Sequence, residues 1–372
     1  MSVEIFTQQT SGVERLGSKI SSLLRDWSAA TFADGGYPRL EMQALADAGL
    51  MTCVLPGELL DVEGFRTSEL LKLLRLVGAG NLSVGRIFEG HVNALQLIAR
   101  FADEEQRRRW FADARNGHLF GVWNTQGADG VTLTEEAGGR YRLSGSKTFC
   151  SGSVQVTRPI VTGELRGAEG AHGGWQMTVV PLDEYDLPVD RSFWTTAGMR
   201  NSVSHKIDFT GVDLATNDLL GQPDDYNRQP YLSGGAIRFA AVQLGGAESI
   251  LSHTRTYLQR LGRTDDTHQQ HRVGRMVVAV ESGKMWLAHA GFVLDSDADE
   301  ERVVYTANQV RTAIAEHCRE CLELSDRCVG ARGMLPPEPL ARLHDDLRVY
   351  LRQPAPDAAL GAVGKFFLDG LS

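Results

Sequence analysis

The chain has 372 residues, 42% of them hydrophobic and 23% charged, enough for two or three packed cores and unlike a disordered or low-complexity protein. A formal net charge of −9 argues against general nucleic-acid binding, which needs Lys and Arg clustered against phosphates, but leaves room for a local basic pocket. Five unevenly spaced cysteines make no disulfide framework and fit a reducing compartment.

The first residues, MSVEIFTQQTSGVERLG, carry neither the basic start nor the apolar middle of a signal peptide, and no run approaches about eighteen apolar residues. A cytoplasmic protein that does not enter a membrane is expected. Helices are predicted for VERLGSKISSLLRDWSAATF, LEMQALADAGLMTCVLP, FRTSELLKLLRLVGAG and SVGRIFEGHVNALQLIARFA, where apolar residues recur at helical steps and Gly49 and Pro56 mark ends. Glu104 and Glu105 open the next helix at its favourable, electropositive end.

The period then changes. From Leu119 to Ser153 strand-like alternation, glycine turns and hydroxyl side chains crowd together, and RPIVTGELR, GGWQMTVVPLD and VSHKIDFTGVDL continue as short strands between Gly- and Asp-bearing turns. Long amphipathic segments return with AIRFAAVQLGGAESILSHTRTYLQRLG, HRVGRMVVAVESGKMWLAHAGFVLD and ERVVYTANQVRTAIAEHCRECLELSDRC, followed by HDDLRVYLR and a tail. Short connections between such helices predict an antiparallel bundle. The expected organisation is a helical domain over 1–116, an antiparallel β domain over 117–216 and a four-helix bundle over 217–372, an α+β fold. Cys318, Cys321 and Cys328 with His317 have a metal-site look, but their helical spacing reads more simply as packing between helices, and no second ligand pair matches them.

Helices, β domain, then helices is the layout of the acyl-CoA dehydrogenase superfamily, and local stretches carry the resemblance: HLFGVWNTQGADG and LSGSKTFCSGS are similar to its two flavin-contacting strands, TTAGMRNSVSHKIDFTGVDL to a later strand, and DRCVGARGMLPPEPLARLHDDLRVY to its last glycine turn and helix. The resemblance implies a flavin, FAD or FMN, with Thr125 and Ser151 bonding its ring, Phe149 beside it, and Trp123 and Asn124 bordering the pocket. On the residues alone the other reading is that Ser151 caps a turn and Phe149 fills the β core. For the cofactor's phosphate side the resemblance points to Arg260, Arg263, Arg327 and Gly330, reaching across a subunit interface and so implying a homodimer or homotetramer; guanidinium forks suit phosphate, although such arginines are as commonly solvated or salt-bridged.

Dehydrogenases of this family use a carboxylate to take a proton beside the thioester carbonyl. The corresponding positions here are Pro354 near the C-terminus and Gly235, Ala236 and Ile237 on the first bundle helix, none of which is acidic; Asp357 is a nearby Asp in a predicted loop. The absence resembles the superfamily's flavin-dependent monooxygenases, which use reduced flavin, often from a separate reductase, and ask for hydrogen-bond donors instead of a strong base. His91, Asn124 and Ser151 form the donor set implied by that resemblance, His91 equally reading as a satisfied core histidine. An oxygen-using flavin enzyme acting on a small molecule is therefore expected. The alternatives are an acyl-CoA dehydrogenase with an unusual base and a catalytically inactive flavin-fold scaffold.

Overall fold

A computed structural model of the chain describes residues 12–32, 36–64, 66–167 and 172–370. Five helices come first: α1 (Gly12–Phe32), α2 (Arg39–Asp47), α3 (Thr67–Gly80), α4 (Leu82–Phe101) and α5 (Glu104–Arg115). The start of α5 is fixed by a capping box, in which the Asp103 carboxylate accepts from the Gln106 backbone N–H at 2.8 Å while the Gln106 side chain accepts from the Asp103 N–H at 3.1 Å. Gln106 also donates to the Leu219 carbonyl at 2.6 Å, so the same residue that starts the helix ties it to the β region.

The strands are β1 (Leu119–Trp123), β2 (Thr132–Glu136), β3 (Arg140–Ser144), β4 (Ser146–Cys150), β5 (Val156–Arg166), β6 (His172–Val179), β7 (Val189–Asp190), β8 (His205–Asp208), β9 (Asp213–Ala215) and β10 (Leu219–Leu220). One sheet runs β10-β6-β5-β2-β3-β9 with β1 also on β5, and a second runs β4-β8-β7. The first sheet is mixed, not antiparallel as expected: β1 and β2 both lie parallel to β5. The reason is topological, since the chain between β1 and β5 makes a hairpin and β4 before returning, a connection long enough for parallel pairing. All five residues of β1 are buried, which is why LFGVW reads as a continuous apolar run.

The bundle contains α6 (Tyr231–Arg260), α7 (Thr267–Leu294), α8 (Glu300–Gly333), α9 (Leu340–Tyr350) and α10 (Pro356–Leu368). Helix α8 packs against α6, α7, α9 and α10, and α6 packs on α3. The α3–α6 crossing is close enough that a Cβ on Gly245 would come within 2.0 Å of the Arg75 carbonyl. The expected tail after Arg352 is the helix α10, so Asp357 stands in a helical first turn and is exposed there. Cys318, Cys321 and Cys328 are buried in α8, and burial pushes their thiols up. The Cys318 and Cys321 Sγ atoms face the Gln243 and Met276 carbonyls at 3.5 and 3.8 Å. Among the described residues no three His, Cys, Asp or Glu side chains converge as for a metal, and no helix is long and apolar enough to cross a membrane.

Candidate active site

The end of β1 and the turn after β4 meet at one corner of the β region, and a buried lysine joins them. Lys147 is fully buried, and its Nζ donates to the Asn124 carbonyl at 3.0 Å, Gln126 Oε1 at 2.6 Å and Thr162 Oγ1 at 3.2 Å, with the Trp175 ring centroid 4.8 Å away. Burial among neutral acceptors pulls its pKa down to about 7. The Asn124 side-chain oxygen accepts from Thr162 Oγ1 at 2.7 Å and Trp175 Nε1 at 3.0 Å. With both bonds on the oxygen, the amide NH2 is left without a partner among the described residues.

After Lys147 the pairing of β4 with β8 loses register, and Phe149 takes a left-handed backbone, φ 55°. For a bulky residue this is an uncommon and costly conformation. It turns the Phe149 ring outward, 49% exposed, edge-on to Phe193 and Trp194 at 5.1 and 5.9 Å. Ser151 follows, and its Oγ lies 2.9 Å from Ser204 Oγ, which lies 2.8 Å from Ser202 Oγ; Ser202 donates to the Met199 carbonyl at 2.7 Å. When each hydroxyl donates to the next, this relay ends on an acceptor and leaves Ser151 presenting lone pairs outward. Beside it Ser153 donates to the Val203 carbonyl at 2.7 Å, so the His205 Nδ1 at 2.8 Å is the donor to Ser153 Oγ.

Backbone strain gathers at this corner. Met199 and Val203 also have left-handed φ, 57° and 41°, the second a β-branched residue. The segment is held in place by α9: a Cβ on Gly198 would come within 2.0 Å of the Asp345 carbonyl, and the Met199 N–H donates to the buried Asp346 carboxylate. Burial raises that carboxyl to about 6.

Thr125, Asn124, Phe149 and Ser151 are thus brought together, Thr125 exposed with its carbonyl accepting from the Thr148 N–H at 2.9 Å. Trp123 does not border an opening. It is 1% exposed, and its indole N–H holds the Ser151 carbonyl at 3.2 Å from beneath. His91 is also structural: fully buried, it accepts from the Phe120 N–H at Nδ1 (3.0 Å) and donates from Nε2 to the Met51 carbonyl (2.6 Å). Burial drops its pKa to about 4, so the ring is neutral with both nitrogens engaged and has no proton to offer a reaction.

Arg260, Arg263, Arg327 and Gly330 lie at one end of the bundle and, among the described residues, form no hydrogen bond or ion pair with this corner. Arg260 pairs with Glu338, Arg327 with Glu323 on its own helix, and Arg263 is exposed. Gly330 kinks α8 with φ 58° and ψ −172°. Pro354 only offers its carbonyl to Arg311, at 2.6 Å. The buried carboxylate of Glu89 on α4 is held by Arg86.

Sequence reasoning missed Ser202, Ser204, Thr162 and Trp175. The first two had a signal, being serines two apart just before a predicted strand and so on one side of an extended chain. The other two are single residues on separate strands, and only the sheet brings them to Asn124.

Comparison with known proteins agrees with this architecture. The family profile described as acyl-CoA dehydrogenase, N-terminal domain, matches residues 18–118, and that described as acyl-CoA dehydrogenase, C-terminal domain, matches residues 229–351. Among curated relatives, a probable FMNH2-dependent monooxygenase, SfnC, of Pseudomonas putida is 23% identical over 76% of this chain and 73% of its own. A dibenzothiophene monooxygenase of Rhodococcus erythropolis is 22% identical over 90% of this chain and 88% of its own. Among solved structures, FMN-bound TdsC from Paenibacillus sp. A11-2 superposes with a TM-score of 0.88 at 19% identity, covering 97% of this chain and 98% of that one.

Proposed function

This chain belongs to the acyl-CoA dehydrogenase superfamily, and from that premise we propose that it is a flavin-dependent monooxygenase that takes reduced FMN from a separate flavin reductase and oxidises a small molecule. One observation carries the reading: the corner at Ser151 offers hydrogen-bonding groups and an outward aromatic ring, with no carboxylate where a dehydrogenase needs its base. The corner fits a flavin. Phe149 presents a ring face held outward at a backbone cost, the Asn124 NH2 is a donor and Ser151 Oγ an acceptor, matching the mixed donors and acceptors of a flavin's pyrimidine edge. Thr125 completes that edge.

A reduced flavin bound there supplies the electrons that activate dioxygen. The chain's own residues do the rest. Lys147 and Trp175 hold Asn124 so that its NH2 points away from the sheet, and the serine relay fixes the direction of the Ser151 hydroxyl. Phe193 and Trp194 pack edge-on against Phe149 and fix the direction of its ring. Among the described residues no free carboxylate stands here to remove a proton from carbon: Pro354 cannot act, Asp357 is exposed on α10, Glu89 is engaged by Arg86, and the buried Asp346 carboxylate accepts from the Met199 N–H. His91 is left out of the reacting set because its nitrogens are occupied.

FMN is favoured over FAD because Arg260 and Arg327 are already paired with carboxylates of this chain. The same reading includes self-association and a cytoplasmic setting. Val278, Met285 and Phe292 recur every seven residues on α7 and are 66, 73 and 70% exposed, an apolar stripe suited to another copy.

The deciding experiment supplies FMN, a flavin reductase and NADH, and follows oxygen incorporation into candidate substrates. Substrate-dependent incorporation that falls at least tenfold in Asn124→Ala is expected. Bleaching of bound oxidised flavin by an acyl-CoA, without reductase, would establish dehydrogenation instead, and failure to bind either flavin would establish the scaffold.

A further inference from the structure

Helix α9 belongs to the bundle, yet it is tied to the Ser151 corner through a single residue, Met199. Met199 gives its N–H to the Asp346 carboxylate of α9, and its carbonyl accepts from the Ser202 N–H at 3.0 Å, Ser202 Oγ at 2.7 Å and Trp194 Nε1 at 3.0 Å. That carbonyl therefore ends the serine relay and also anchors the indole that packs edge-on against Phe149. One backbone residue joins α9 to both the hydroxyl and the aromatic ring that the corner presents.

The backbone of Met199 explains why this joint needs a clamp. Its φ and ψ are 57° and 24°, a left-handed conformation that is costly for a residue with a Cβ and persists only where the surroundings hold it. Because φ and ψ are the only soft rotations between them, the directions of the Met199 N–H and C=O are set together. A Met199 relaxed to negative φ would turn its carbonyl away from Ser202 and Trp194. Gly198 is what lets α9 come this close, since a Cβ there would collide with the backbone of Asp345 and Asp346.

The clamp itself is a buried carboxylate, a group that a fold keeps only when it is hydrogen-bonded or paired. Burial disfavours its charged form, while the Met199 N–H and Arg342, one turn earlier on α9, favour it. Arg342 in turn feels Glu41, a buried carboxylate of α2. A charged acceptor gives the Met199 N–H a direction that an apolar side chain of similar volume cannot.

We propose that Asp346 is a positioning residue for the Ser151 corner: by holding Met199 left-handed it fixes the Met199 carbonyl, and through it the Ser151 hydroxyl and the Phe149 ring. Asp346 acts on a ligand only through Met199. Its effect on a flavin rests on the reading given under Proposed function, whereas its effect on Met199 does not, and the two are measured separately.

The first measurement needs no flavin. In isotope-labelled full-length protein the Trp194 indole N–H resonance, assigned by its loss in Trp194→Phe, reports the bond to the Met199 carbonyl. Asp346→Leu should shift it upfield as that bond lengthens, and Asp346→Asn, whose amide oxygen still accepts from Met199, should leave it in place. The second measurement is FMN affinity, read by flavin fluorescence. Asp346→Leu should weaken it at least about tenfold and Asp346→Asn less than about threefold. In the Ser202→Ala, Trp194→Phe double variant, where no side chain uses the Met199 carbonyl, adding Asp346→Leu should cost less than about threefold, the non-additivity of a single network.

An unmoved indole resonance in Asp346→Leu, an equal loss of affinity in Asp346→Asn, or a full tenfold loss in the double-variant background would overturn the assignment. If Asp346→Leu does not fold, hydrogen exchange of the wild-type protein decides: the Met199 amide should exchange at least about a hundredfold more slowly than that of exposed Arg200, and equal rates would overturn the clamp. Failure of the wild-type protein to bind FMN would strike the flavin reading alone, and the indole resonance would still decide the role of Asp346.

Discussion

The corner around Ser151 and the bundle end around Arg327 were both marked by the sequence as cofactor sites, and they are built in opposite ways. At the corner nearly every polar group is committed: Lys147 makes three hydrogen bonds, Asn124 Oδ1 accepts two, and three serines form a relay, on a backbone with three left-handed non-glycine residues nearby. At the bundle end the arginines are 55 and 59% exposed and paired with carboxylates that water readily replaces. A site that holds its groups in fixed directions before a ligand arrives loses little freedom on binding, whereas exposed side chains must be ordered at that moment. The contrast teaches that the polar groups of the corner are fixed in direction by their own hydrogen bonds, whereas the exposed arginines of the bundle end are not.

The comparison can be broken most forcefully from beneath the corner. His91→Ala removes a buried ring and strands the Phe120 N–H and the Met51 carbonyl, so a loss of about 3–5 kcal/mol is expected in urea unfolding. An effect under about 1 kcal/mol would show that β1 is not held this way. His91 also sets an acid dependence. Its folded pKa, about 4, lies below the unfolded value of about 6.5, so the unfolded chain binds the extra proton between them. Its contribution is therefore complete above pH 6.5 and is lost as pH falls towards 4. His91→Leu should flatten the slope of stability against pH in that window.

Next in size is Lys147→Met, which leaves the Asn124 carbonyl and Gln126 Oε1 without their donor and should cost about 2 kcal/mol. FMN affinity should fall with it, since Asn124 loses its support. A stable variant with unchanged FMN affinity would mean that the corner is not pre-organised by the lysine.

Phe149 separates strain from contact. Because its φ is 55°, Phe149→Gly should be more stable than Phe149→Ala by about 1 kcal/mol, while both lose about tenfold in FMN affinity with the aromatic ring. Equal stabilities would deny the strained backbone. The smallest effect belongs to the other end: Arg327→Ala should change stability by less than about 0.5 kcal/mol and FMN affinity less than about twofold. A tenfold loss there would restore the bundle end as a cofactor site.

Much of the fold was legible because periodicity is a local signal. The amphipathic stripes of α3, α4 and α6, the capping pair Asp103 and Gln106, and the change to alternation near Leu119 are each written in a few consecutive residues. The parallel pairing of β1 and β2 with β5 was not, because strand partners depend on connections that no single window contains. The site divides along the same line. Ser151, Thr125, Asn124 and Phe149 stand in two adjoining stretches, so the sequence already groups them. His91 was left open between a donor and a satisfied core histidine, and Trp123 was read as bordering a pocket; both are buried against the protein, since a helix or strand pattern says that a residue is on a face but not which neighbour occupies its ring nitrogens.

The sequence by itself determined the order of helices, strands and helices, the cluster of hydroxyl and aromatic residues after β4, and the lack of a carboxylate at Pro354, all properties of which residue stands where along the chain. Only the tertiary structure decided which of those residues remain available. Hydrogen bonds across distant segments occupy His91 and the Asn124 oxygen, and burial makes His91 neutral and lowers Lys147. Whether a polar atom has a partner depends on everything folded around it, and that is settled only when the chain is closed.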